Sequence, residues 1–336
     1  MIPYIQKLAR GGHLSLDESQ AAMREIMDGR ATPAQIAAYL TALSIKGPTP
    51  DEIAGAALVM REKATRIEVG DLPVVDTCGT GGTGKKSFNN STCAALVAAG
   101  AGAYVAKHGN RGATSRCGSS DVLEALGVNV YAEPAVVARC VREAHMGFLF
   151  APQLHGAMKY AVPVRKEIGI RTVFNVLGPL TNPAGARRQV MGVYAADLVR
   201  PIADVLLALG TKHALVVHSE DGLDEIALSA PTHVCEVRSG AITCYDLSPE
   251  FLGLPTASLE EIRAETAPQS ADCVRSVLRG ERGPRRDVVL ANAGAAVYVS
   301  GIARDIHDGI KRAAESIDTG AAGRVLEALV RISHAT

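Results

Sequence analysis

The sequence predicts an α/β protein in which a small N-terminal all-helical domain precedes a larger α/β domain with a mostly parallel central sheet. Three observations predict it. The first 65 residues carry repeated helix-start signatures, short β-type runs alternate with helical stretches from about residue 72, and two glycine- and hydroxyl-rich segments follow strands directly. A chain of 336 residues is long enough to bury a sizeable core in two lobes.

The N-terminal helices are punctuated by three capping boxes: Ser15-Leu16-Asp17-Glu18, Thr32-Pro33-Ala34-Gln35 and Thr49-Pro50-Asp51-Glu52. In each, a hydroxyl takes a free N–H of the first turn while a Glu or Gln reaches back to the cap. Pro33 and Pro50 stand at the first helical position, where a missing N–H costs nothing. Ala22 and Ile26, then Ile36, Tyr39, Leu40 and Leu43, form apolar stripes at helical spacing. These stripes need a partner.

Further along, β-type runs read at 73–75, 103–106, 128–130, 148–150, 190–194 and 214–217. Helical stretches read at 91–101, 134–145 and 197–209, and again near 271–279, 287–299, 304–317 and 320–333. Strands separated by crossover helices make a parallel, doubly wound sheet. Residues 162–170 also read as helical, and the sequence leaves open what they pack against.

Composition narrows the function classes. Lys plus Arg (35) balances Asp plus Glu (35), so no global field favours nucleic acid or an acidic membrane. Seven scattered cysteines, never spaced as CxxC, predict reduced thiols in the cytoplasm rather than a disulfide frame or zinc site. No signal-peptide core is present, and the uncharged stretch 87–106 opens too polar for a bilayer span. A soluble, cytoplasmic chain is expected, with neither nucleic-acid nor membrane partners.

The segment from Asp76 to Thr92 runs from a strand through four glycines (Gly79, Gly81, Gly82, Gly84) toward a helix near Ser91. Glycines let backbone N–H groups converge on an anion, and a helix N-terminus adds its positive dipole end. Gly79 to Lys85 also fits the Walker A spacing, but Lys86 stands where that motif needs a Ser or Thr for Mg²⁺. The dinucleotide fingerprint fits no better, because the expected ribose-binding acid is missing. A second cluster, Lys107 to Asp121, follows a strand and offers cations, glycines and hydroxyls suited to a phosphate ester. Two such clusters close in sequence point to a polyphosphate.

The segments GTGGTGKKSFNNST (79–92), KHGNRGATSRCGSSDVLEALG (107–127), HGAMKYAVPVRKEIGIRTVFNVLGPLTNPA (155–184) and DGLDEI (221–226) resemble, in order and spacing, the signatures of anthranilate phosphoribosyltransferases. That resemblance runs nearly end to end. It implies transfer of the 5-phosphoribosyl group of phosphoribosyl diphosphate (PRPP) to the amine of anthranilate, with Mg²⁺ as cofactor, in tryptophan biosynthesis. It also implies a helical domain of residues 1–70 with a returning segment at about 160–187, an α/β domain of 71–159 and 188–336 carrying the site, and a homodimer through the helical part.

By the same resemblance PRPP is cradled by Gly79, Gly82, Thr83, Ser87, Asn89, Asn90, Ser91 and Thr92. Lys107, His108, Gly109, Asn110, Arg111, Gly112, Ala113, Thr114 and Ser115, with Ser119, enclose its phosphate and ribose oxygens. Ser91, Asp224 and Glu225 hold Mg²⁺, a hard cation that takes oxygen ligands and few carboxylates. Arg165 receives the anthranilate carboxylate through its planar fork, with Asn110 and Gly79 beside the acceptor. Gly178 and Pro179 shape a wall, and His108 and His155 border the acceptor, with no catalytic residue assigned. Thr83 departs from the family's usual Asp, and Asn90, Ser120 and Gly156 also depart from the usual pattern. A pyrimidine nucleoside phosphorylase would be longer, with a different glycine loop. A nucleic-acid-binding relative would lose Arg165 and gain a basic surface.

Overall fold

The computed structural model describes residues 1–85, 87–112 and 117–335. Four helices, Ile2–Ala9, Leu16–Met27, Pro33–Lys46 and Pro50–Lys63, open the chain. All three capping boxes form: the hydroxyls of Ser15, Thr32 and Thr49 accept from the backbone N–H groups of Glu18, Gln35 and Glu52. The Glu52 carboxylate is buried and also accepts from Leu14 N and Lys46 Nζ, both at 2.8 Å. A cap is thereby turned into a joint between helices.

Seven strands follow: β1 Val75–Gly79, β2 Val105–Gly109, β3 Met146–Phe150, β4 Arg188–Gly192, β5 His213–Ser219, β6 Thr232–Arg238 and β7 Ala241–Leu247. Their order across the sheet is β3-β2-β1-β4-β5-β6-β7. The first five are parallel, and β6 and β7 close the edge antiparallel. Strand β1 starts later than its apolar run suggests because pairing with β4 carries it from Val75 to Gly79, into the glycine segment itself.

Residues 128–130 form no strand. Val128 and Val130 are buried in the core, but Asn129 N donates to Ser333 Oγ at 3.0 Å, so a side chain on the last helix takes a bond that a strand would need. The β6–β7 hairpin, not anticipated, turns on Ser239 and Gly240 with φ of 51° and 81°. Two positive-φ residues suit the right-handed twist of the flanking strands. The hairpin also corrects the cysteine reading. Cys235 and Cys244 face each other across the ladder with Cα atoms 4.1 Å apart and are disulfide-bonded. A separation of nine residues gives no hint of that register. Cys78, Cys93, Cys117, Cys140 and Cys273 are not disulfide-bonded.

Alternate residues of the strands face opposite sides of the sheet and feed separate cores. On one face Val75, Val105, Val190, Leu215 and Val217 meet the helices Asn90–Gly100 and Pro284–Ser300. On the other, Met191, Val216 and Val237 join the helix Val199–Ala208, the N-terminal stripe residues Ile26 and Leu40, and Ile53 of the fourth helix. Residues from Ala161 to Leu180 belong to this second core. The stripes therefore have their partner, and it includes the sheet. At the strands' N-terminal end two cations meet carbonyls near helix C-termini: Arg188 Nη1 donates to Val299 O in the last turn of Pro284–Ser300 at 2.7 Å, and Arg187 Nε donates to Gly210 O, just past the helix Val199–Ala208, at 2.9 Å.

Candidate active site at the carboxyl ends of the strands

The opposite end of the sheet is where open α/β folds bind ligands. There β1 and β4 end side by side in Gly79 and Gly192. A Cβ on Gly79 would lie 2.5 Å from Asp224 Oδ2, and one on Gly192 would collide with the Asp224 carbonyl. The two glycines thus make room for the acidic segment to lie across the strand ends. Gly81 N donates to Asp224 Oδ2 at 2.8 Å. Ser87 Oγ and Asn90 Nδ2 donate to Glu225 Oε2 at 3.2 and 3.3 Å.

Residues far apart in sequence are therefore joined into one cluster. Burial raises both carboxyls above their usual range, with Glu225 pushed up to about 7 by burial and by repulsion from Asp224. Two crowded carboxylates call for a cation. Lys107, fully buried, supplies part of it: its Nζ donates to Thr77 O and to Ser91 Oγ, the latter at 3.3 Å. Burial itself lowers the Lys107 pKa.

In the loop, Gly81, Gly82 and Gly84 take φ values of 62°, 77° and 72°. Side chains rarely adopt that backbone, and successive N–H groups in it make an anion cradle. The helix Asn90–Gly100 begins immediately afterwards. Thr83 Oγ1 accepts from Lys85 N at 3.2 Å, which keeps its hydroxyl within the loop. Thr92 Oγ1 donates to Asn89 Oδ1 at 2.6 Å, and Asn89 N donates to Ser270 Oγ at 2.8 Å.

The donor set suits a hard cation. Asp224, Glu225 and Ser91 offer oxygens, and Asn90 Oδ1 is buried with no hydrogen-bond partner among the described residues. Among the described residues no group of three or more His, Cys, Asp and Glu side chains could enclose a metal alone. Such a site fits Mg²⁺, which keeps waters and substrate oxygens in its shell.

The second loop divides its residues. Ser119 Oγ donates to Asn110 O at 3.4 Å, and a Cβ on Gly109 would strike that hydroxyl. Gly112 N donates to Asp121 Oδ2 at 3.2 Å. The Arg111 guanidinium is engaged elsewhere, bonding Asp121, Glu124 and the Tyr131 hydroxyl. Ala113, Thr114 and Ser115 lie outside the described residues. His108 shares its ring nitrogens with Gly178 O at 3.1 Å and His155 Nε2 at 3.2 Å. Burial pushes His108 down to about 3 and His155 to about 4, so both rings are neutral near pH 7. With Nδ1–H given to the Gly178 carbonyl, His108 Nε2 accepts from His155. Neither nitrogen of His108 is left to take a further proton.

Arg165 sits on the helix Val162–Ile168 with its guanidinium 5.2 Å from the Phe174 ring centroid. It has no hydrogen-bond or ion-pair partner among the described residues, and burial lowers its pKa. A half-buried, unpaired guanidinium against an aromatic ring suits an aromatic carboxylate.

Sequence reasoning missed supporting residues. The buried Asp76 carboxylate accepts from His108 N at 3.1 Å and Asn182 Nδ2 at 2.8 Å, tying β1 to β2 and to the returning segment. Gln189 Nε2 donates to Pro179 O at 2.7 Å, fixing the wall that the sequence did single out. Arg171 Nη2 donates to Gly82 O at 2.7 Å. Each lies near a recognised motif, but no spacing rule separates it from its neighbours.

Comparison with known proteins agrees with this geometry. Residues 71–323 match the model of a glycosyl transferase family α/β domain, and residues 2–64 match that family's helical bundle domain. The chain is 53% identical to the anthranilate phosphoribosyltransferase of Methylobacillus flagellatus, over 98% of its own length and 97% of the relative's. It is 56% identical to that of Anaeromyxobacter dehalogenans, over 97% and 96%. Among solved structures, the Thermus thermophilus anthranilate phosphoribosyltransferase aligns with a TM-score of 0.94 at 44% identity, over 99% of both chains. The Saccharomyces cerevisiae protein, in complex with PRPP and Mg, aligns with a TM-score of 0.89 at 28% identity, over 99% and 97%.

Proposed function

Because this chain belongs to the anthranilate phosphoribosyltransferase family, we propose from its site that it is a Mg²⁺-dependent pentosyltransferase of tryptophan biosynthesis. It transfers the 5-phosphoribosyl group of PRPP to the amine of anthranilate, giving N-(5-phosphoribosyl)anthranilate and diphosphate. The observation that carries the reading is the acidic pair, Asp224 bonded to the glycine loop and Glu225 to Ser87 and Asn90 at the head of the following helix.

Breaking the C1–O bond of PRPP leaves positive charge on the ribose and negative charge on the diphosphate. The protein must neutralise the second and hold a weak aryl amine against the first. Holding reactants in attack geometry can lower a barrier by ~7–11 kcal/mol. On this reading the amides around Gly79, Gly82 and Thr83, with Ser87 and Asn89 to Thr92, hold the diphosphate. Lys107 and residues 108–115, with Ser119, surround the remaining phosphate and ribose oxygens. Mg²⁺ at Ser91, Asp224 and Glu225 supplies charge neutralisation when bound. Arg165 orients the anthranilate carboxylate, with Asn110 and Gly79 beside the ring. The arylammonium formed by attack is acidic enough to lose its proton to water, in keeping with a His108 whose nitrogens are both engaged.

The domain division follows the same reading: residues 1–70 with about 160–187 form the helical domain, and 71–159 with 188–336 form the α/β domain. Support comes from the apolar cluster shared by Leu40, Ile53, Ala161 and Leu177. We propose that two copies pair through the helical domain, where Ile2 is 57% and Ile45 82% exposed. Ile45→Glu should convert the dimer to monomer in light scattering, and a monomeric parent chain would overturn the pairing. The cytoplasm is the proposed compartment. No helix among the described residues is long and apolar enough to cross a membrane.

The primary test follows loss of anthranilate fluorescence with purified protein, PRPP and Mg²⁺. No turnover would overturn the reading. Thr83 gives a finer test. Thr83→Asp adds a carboxylate beside the anion cradle and should shift the Mg²⁺ activation curve, whereas an unchanged curve would deny that position any metal-related role.

A further inference from the structure

The glycine loop has little to hold it. Ideal Cβ atoms on Gly81, Gly82 and Gly84 would meet nothing within 4 Å, so these residues sit in open space. Among the described residues, only two side chains from outside the loop hydrogen-bond to residues 80–85: Asp224, which accepts from Gly81 N, and Arg171, which donates to Gly82 O. Asp224 belongs to the proposed metal site. Arg171 has no such role.

Arg171 is itself held at both ends. It lies between the helices Val162–Ile168 and Phe174–Leu177. Its carbonyl accepts from Ser44 Oγ at 2.8 Å, and its guanidinium lies 4.4 Å from the Tyr194 ring centroid, just beyond β4. No carboxylate forms an ion pair with it among the described residues. A guanidinium stacked on an aromatic ring keeps its plane while donating.

We propose that Arg171 is a positioning residue for phosphoribosyl transfer, acting through the Gly82–Thr83 peptide. That peptide is planar and trans, so fixing the Gly82 carbonyl on Arg171 turns the Thr83 N–H the opposite way. A cation on the carbonyl also polarises the peptide and strengthens that N–H as a donor. Where the loop receives diphosphate, Arg171 orients one of the amides that stabilise it without touching the substrate. The proposal rests on the transferase reading of this loop.

Arg171→Ala should lower kcat/KM for PRPP by about 10- to 100-fold, the range for losing a charge-assisted hydrogen bond. The KM for anthranilate at saturating PRPP should change little, the reverse of the pattern expected for Arg165→Ala. Added guanidinium ion should restore part of the lost activity. Arg171→Lys keeps a donor but loses the planar stack and should fall between. An unchanged kcat/KM for PRPP overturns the proposal. So does an equal loss for both substrates with a lowered Tm and no guanidinium rescue, which would mark Arg171 as a brace for its own segment. A wild-type protein that binds no PRPP by calorimetry and turns none over would instead sink the transferase reading itself.

Discussion

Asp224→Ala combined with Glu225→Ala is expected to abolish Mg²⁺-dependent transfer, lowering kcat/KM by at least about 10³-fold, as befits loss of a metal that stabilises a departing diphosphate. The two carboxylates sit where the ends of β1 and β4 leave room for them, and both are raised by burial and, for Glu225, by its neighbour. Removing both relieves that crowding, so the variant should fold. The loss would then be one of chemistry, readable as an activity that no Mg²⁺ concentration restores. A double variant within tenfold of the parent at saturating Mg²⁺ would remove the acidic pair from the metal site.

The same pair predicts a pH dependence with a definite sign. Glu225 has an ordinary value of 4.5 and is pushed up to about 7 in the fold. A carboxyl raised on folding favours the folded state below its unfolded value, and that contribution fades as pH rises through the folded one. Without Mg²⁺, Tm should therefore fall as pH rises from about 4.5 to 7, and Mg²⁺ should offset the fall. Apparent Mg²⁺ affinity should weaken below pH 7, where a proton competes for the site. Glu225→Gln should flatten the dependence, and a Tm profile unaltered by that change would place the titration elsewhere.

Arg165→Ala is expected to raise the KM for anthranilate by about 30- to 100-fold while leaving the KM for PRPP within about threefold, since charge-assisted pairing with a carboxylate falls in that range. Its guanidinium is half-buried, stacked on Phe174, and lacks any counter-charge among the described residues. An unpaired buried cation is costly, and a carboxylate ligand removes the cost. Arg165→Lys should recover only part of the affinity, because an ammonium cannot offer the two-pronged fork. If KM for PRPP rose as much as that for anthranilate, Arg165 would belong to the donor side and the acceptor assignment would fall.

Much of this was legible beforehand, for identifiable reasons. Capping boxes are local, so Ser15, Thr32 and Thr49 mark helix starts without knowledge of anything distant. The helices Ile306–Asp318 and Ala321–Ser333 are long and amphipathic enough for periodicity to find. Short elements are set by distant partners. Asn129 sits in a β-like run, yet Ser333, 204 residues later, takes its N–H. The β6–β7 hairpin alternates only partly, and its signal was the modest pair Ser239-Gly240. At the site, the two glycine-rich clusters announced themselves by composition, whereas the acidic pair entered only through the family resemblance. Arg171, Asn182 and Gln189 did neither, because each acts through one bond to a backbone or side chain brought near only by folding.

The core that unites Leu40 and Ile53 with Met191 and Val216 bears on how such a chain is inherited. Residues 2–64 and the strands of the α/β domain are far apart in sequence, yet their apolar side chains pack in one cluster. A recombinant that exchanged residues 2–64 alone would present foreign knobs to Val199 and Ile202, and the mismatch would cost stability before it altered any chemistry. Exchange should keep full stability only when the facing residues of the helix Val199–Ala208 are exchanged with them.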